Sequence, residues 1–136
     1  MKILIETIPH SEQRYPTVGD WFWKSSRTKD FDDKGKGPDW HEKDTLVIRV
    51  SAMSDWRYEV LVGLHEAIEA LLCKHAGVSE AIVDAFDLNF KGEGEPGDDI
   101  GAPYHKQHEM ATYVEQFLAA GLDVDWLTYE LEVDSL

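Results

Sequence analysis

The stretch Leu64-His65-Glu66-Ala67-Ile68-Glu69-Ala70-Leu71-Leu72-Cys73 sets one histidine and two glutamates inside an apolar run. Taking Leu61 as zero and about 100° per residue, the apolar arc runs from roughly 240° through zero to about 100°. It holds Ala67, Val60, Leu71, Leu64, Ile68, Leu72, Tyr58 and Val62. His65 falls near ~40° and Glu69 near ~80°, inside that arc, and Glu66 falls at its edge near ~140°. A carboxylate in an apolar seam is costly unless it is paired, protonated or bound to a cation. His65 and Glu69 stand i,i+4, about 6 Å apart at Cβ, which suits two ligands of one divalent ion. Glu66 stands beside them, where a general base for a bound water would sit. The plain alternative is a His65–Glu69 pair at a helix boundary, since HExxE is common by chance.

Catalytic zinc takes three protein ligands plus water, so a third is needed. In Tyr104-His105-Lys106-Gln107-His108-Glu109, His108 lies at the margin of a face made by Met110, Ala111, Val114, Phe117 and Leu118. His108 is the preferred third ligand. His105, deeper in the polar face, is the alternative, and Glu109, Asp84 or Asp87 could also complete a site. His75 sits ten residues after His65, but Leu72 occupies the position where a chain-turning glycine is needed, and a continuous helix puts the two about 15 Å apart. Cys73 reads as a small buried apolar residue.

The elements that must position these groups follow from periodicity. Residues 2–8, 17–23 and 45–51 read as strands, the last with Leu46, Ile48 and Val50 on one face. Residues 25–44 read as a long polar loop. Helix signals run over 56–76, with a cap at Ser54-Asp55 and Gly77 just past the end, then over 80–89 and 104–120. Residues 126–133, WLTYELEV, alternate and predict a fourth strand. Strands grouped before helices predict one α+β domain over 1–136, a small antiparallel sheet packed against about three helices.

The chain has 136 residues and a net charge of −14, from 27 acidic and 13 basic residues. No basic stripe is present, which argues against direct nucleic-acid binding. No apolar run approaches the ~18 residues of a membrane span. Cys73 is the one cysteine, so no intrachain disulfide can form. These features predict a cytoplasmic protein whose partner is a protein or peptide. Trp21, Trp23 and Trp126 could supply an exposed aromatic patch, and the oligomeric state is left open.

The strand TLVIRVS ahead of HEAIEALLCKHAG resembles the zincin-like metallopeptidases, in which a small sheet packs on a helix carrying HExxH. The resemblance covers roughly residues 45–77. It implies zinc, with His65 as the first ligand, Glu66 as the base, and Glu69 in place of the second histidine. A carboxylate there weakens the Lewis acid and raises the pKa of bound water. The runs IPHSEQRYPTVGDW and MSDWRYEVLVGLHEAIEALLC are also similar to small uncharacterised phage and prophage proteins, which implies no activity. Two expectations follow. One is a divalent-metal protein, zinc at His65, Glu69 and His108, that hydrolyses peptide or amide bonds. The other is a non-enzymatic acidic accessory protein that engages a host protein, with HExxE structural. A ferritin-like carboxylate site and an ExxE nucleotide hydrolase both want an all-helical chain.

Overall fold

The computed structural model describes residues 1–24 and 45–136, so the loop expected over 25–44 lies outside the described residues. The strands are β1 (Lys2–Ile8), β2 (Gly19–Trp23) and β3 (Thr45–Ser51). The α-helices are α1 (Trp56–Ala76), α2 (Glu80–Asn89), α3 (His105–Gly121) and α4 (Trp126–Ser135). The fold is α+β.

The sheet has the order β1-β3-β2. β2 runs antiparallel to β3, with Trp21 opposite Ile48. β1 runs parallel to β3, with Ile5 also opposite Ile48. The sheet is therefore mixed rather than antiparallel as the sequence suggested. The reason lies in β3, whose Leu46, Ile48 and Val50 are buried on one face and Val47 on the other. A strand apolar on both faces takes the centre. β1, which leaves Ile3, Leu4 and Ile5 partly exposed, takes an edge.

α1 is the middle layer, packed on the sheet on one side and on α3 on the other. Asp55 caps it, accepting from the Arg57 backbone N–H at 2.9 Å. It closes at Gly77, where the Val78 N–H donates to the Cys73 carbonyl at 2.9 Å. Because it is covered from two directions, its buried arc is rotated from the one the leucines suggested. Gly63, Ala70 and Cys73 are buried, whereas Leu64, Ile68, Leu71 and Leu72 are only partly so.

Two expectations are corrected. Residues 126–133 are helical, not a strand. Asp125 caps that helix by accepting from the Thr128 backbone N–H at 2.9 Å, and only Tyr129 of the alternating set is buried. In α3 the expected apolar face holds in part: Ala111 is buried and Leu118 packs on the core, but Met110, Val114 and Phe117 are exposed, and the helix also buries His108, Glu115 and Ala119. Trp21 is buried and Trp23 and Trp126 are half-buried, so the three tryptophans form no open patch. Among the described residues no helix is long and apolar enough to cross a membrane.

Candidate metal centre

The α1–α3 contact carries the ionisable residues. One turn separates His65 from Glu69 on α1, and two turns separate His108 from Glu115 on α3. All four are buried. Three of their atoms converge. His108 Nδ1 lies 2.9 Å from Glu69 Oε2, His65 Nε2 lies 3.1 Å from His108 Nδ1, and His65 Nε2 lies 3.6 Å from Glu69 Oε2.

The outward atoms of the same side chains are held. His65 Nδ1 lies 2.8 Å from Glu115 Oε2, so its N–H points at a carboxylate. The Tyr129 hydroxyl donates to the other Glu115 oxygen. Trp21 Nε1 donates to Glu69 Oε1 at 2.9 Å. His108 Nε2 faces Asp98 Oδ1 at 3.3 Å and Glu95 Oε2 at 3.4 Å. Gly97, between those two acids, lies flat on the His108 ring, where any Cβ would collide with Cγ and Nδ1. The proton of His65 sits on Nδ1, toward Glu115; with the proton of His108 on Nε2, toward Asp98 and Glu95, both inward nitrogens are acceptors. Two imidazole lone pairs and one carboxylate oxygen are left facing each other.

Three acceptors at such distances require something electropositive among them, a proton or a cation. Zinc holds nitrogen and oxygen at about 2.0–2.2 Å, which in a tetrahedron sets neighbouring donors about 3.4 Å apart. The observed triangle brackets that separation. The residue types fit as well, since two imidazoles and one carboxylate are a known catalytic zinc set. A histidine whose far N–H is held by a carboxylate is the usual outer arrangement of a metal ligand.

The electrostatics make the cluster a negative site, which favours either protons on the two histidines or a cation in their place. Burial alone would lower the pKa of His65, but its bonds to Glu115 and Glu69 outweigh burial and hold it well above the ordinary histidine value. In His108 the bond to Glu69 likewise outweighs burial and raises the pKa. Burial would raise Glu69, yet the two histidines hold it down at about 2. The carboxylate is thus ionised and its partners tend to be protonated.

The cluster opens on a cavity of about 840 Å³ lined also by Glu66, Tyr15, Asp87 and Tyr104. Among the described residues no lysine or arginine lines it. Glu66 is partly buried. Its carboxyl lies against the backbone of β2 at Gly19, a position any larger residue would close to it. Burial, and then the charge of Glu69, hold its pKa well above the ordinary carboxylate value.

The structure thus brings His65, Glu69 and His108 to one point and sets Glu66 in the adjoining cavity. His105 is placed elsewhere: its Nδ1 takes the Gly97 carbonyl at 2.9 Å. Glu109 is exposed and accepts from the Tyr113 hydroxyl at 3.3 Å. Asp84 pairs with Arg14 at 3.0 Å, and Arg14 also holds buried Asp20. Asp87 accepts from the Tyr104 hydroxyl at 2.5 Å. His75 is exposed at the end of α1, and Cys73 is buried and free. Glu115 and Tyr129 were not singled out by the sequence, and Trp21 was read only as part of an aromatic patch. The one available signal was that Glu115 falls seven residues after His108, on the same face of α3.

No protein-family model matches the sequence, and comparison with curated proteins and with solved structures gives no significant match. The functional reading therefore rests on the geometry of this cluster.

Proposed function

We propose that the protein is a zinc-dependent hydrolase of zincin-like build, acting on a peptide or other amide bond. His65 Nε2, Glu69 Oε2 and His108 Nδ1 hold the metal. The observation that carries this reading is the convergence of those three atoms within 2.9–3.6 Å, each from a side chain whose other polar atom is held from outside. His108 restores the second imidazole that Glu69 displaces from HExxH. The donor set then carries the same charge as catalytic sites made of two histidines and one glutamate, which offsets the weaker Lewis acidity expected from Glu69 alone. Zinc in such a set polarises a carbonyl and acidifies a bound water.

The remaining steps belong to the chain. Glu66, in the cavity beside the cluster, would take a proton from the attacking water and return it to a leaving amine. Glu115 and Tyr129 hold the His65 ring, Trp21 holds Glu69, and Gly97 with Asp98 and Glu95 holds His108. The cavity admits a peptide-sized group beside the cluster. A cytoplasmic setting belongs to the same reading, consistent with a cysteine that stays free.

Metal analysis of protein purified without a histidine tag tests the first part. One zinc per chain is expected, and none in His65→Ala or His108→Ala. If metal binds, Glu66→Gln should abolish amide hydrolysis while keeping the zinc, and turnover that survives removes Glu66 from its role. A wild-type protein that takes up no zinc, and gains no stability from it, overturns the metal reading. The cluster would then be a proton-sharing structural network, which favours the non-enzymatic accessory protein.

A further inference from the structure

α3 is inverted relative to its composition. Its inward face carries His108 and Glu115, and its outward face carries Met110, Tyr113, Val114 and Phe117, which are 46%, 56%, 41% and 83% exposed. Their spacing is i, i+3, i+4, i+7, one continuous stripe along the helix. Between residues 110 and 121 the sole charged residue is Glu115, and it is buried against His65. A chain of net charge −14 therefore keeps a mainly apolar band about three turns long on its surface, with Glu109 at its edge, bonded to the Tyr113 hydroxyl.

We propose that this stripe is the interface of a homodimer, in which α3 packs antiparallel on α3 of a second copy. Three features select a second copy over another partner. The first is self-complementarity. A two-fold axis between Tyr113 and Val114 sets Met110 of one copy beside Phe117 of the other, and Val114 near its own image, as an isologous contact requires.

The second is charge. A basic partner would be drawn to the acidic surface elsewhere, and the stripe itself is uncharged apart from Glu109 at its edge. In the antiparallel pair, Lys106 at the start of each helix comes beside the end of the other, toward Asp123. The helix dipoles oppose favourably. The third is area. The four side chains expose on the order of 500 Å² together, and the exposed rim of Gln116 and Ala120 brings the contact toward the ~800 Å² per partner of a standard interface.

The test is the mass of the whole chain in solution by light scattering or sedimentation equilibrium, at tens of micromolar. Wild type should run at twice 15.5 kDa. Val114→Lys and Val114→Glu should each run as monomers with an unchanged circular dichroism spectrum. Mixing the two in equal amounts should restore the dimer, because opposite charges then meet near the axis. A monomeric wild type overturns the proposal, and so does a dimer that survives either single charge, since its interface would lie elsewhere. Failure of the mixture to recover overturns the antiparallel pairing through Val114.

Discussion

α1 is held by two unlike contacts. Toward the sheet it meets Ile48 and Val50, apolar and fully buried, with Ala70 and Cys73 of its own surface buried as well. Toward α3 it meets His108 and Glu115 with His65 and Glu69. The first contact is additive: each apolar side chain stabilises by leaving water, whatever its neighbours do. The second is conditional. Each of its four groups pays a desolvation cost that only the others, or a bound cation, can offset. A helix needing nothing more than burial would use the first kind on both sides. Confining the costly kind to one layer, at the wall of a cavity, is how a site is built into a small fold.

The contrast is broken most severely from the apolar side. Ile48→Ala should lower unfolding stability by about 2–5 kcal/mol, the usual loss for a large core aliphatic. Chemical denaturation should give the same loss in zinc and in chelator, because Ile48 bonds none of the four polar groups, although Trp21 opposite it donates to Glu69. A loss that depends on zinc would show that the two layers are one unit. Glu115→Gln acts on the conditional layer. It keeps the shape and an acceptor for Tyr129 but removes the charge behind His65 Nδ1. Zinc affinity, measured by competition with a chromogenic chelator, should fall by about 10- to 100-fold. Unchanged affinity would remove Glu115 from its positioning role.

Much of this was readable in the sequence. His65 and Glu69 stood out because a helical wheel places both in an apolar arc, and His108 because it lies at a helix margin. Glu115 was not legible, although it shares a face with His108. Met110, Val114 and Phe117 outweighed it in any hydrophobicity argument, and only the partners on α1 decide which face of α3 turns inward. Residues 126–133 misled for a related reason. Leu127, Tyr129, Leu131 and Val133 alternate, but the buried and half-buried residues are Trp126, Tyr129, Glu132 and Val133, a helical spacing, and Asp125 before Thr128 was the cap that announced it. The parallel pairing of β1 had no local signal, since it depends on which strand takes the centre.

The smallest effect lies on the cavity wall at Asp87. Burial, opposed by the Tyr104 hydroxyl and reinforced by the charge of Glu69, pushes the Asp87 pKa from 3.8 up to about 6. Its protonated form is thus favoured by folding. That contribution is fully present below the unfolded value near 3.8 and is lost as pH rises through about 6. Above that pH the wild type carries a charge the fold disfavours, and Asp87→Asn does not. The variant should therefore be more stable than wild type at pH ~7.5, by on the order of 1 kcal/mol once solvent screening of a half-buried group is allowed for. The advantage should vanish by pH ~4, below both values. Thermal melts of the two proteins across that range check it. A difference in Tm that stays constant with pH would mean that Asp87 is held by its tyrosine bonds alone, and that the cavity wall belongs with the additive layer.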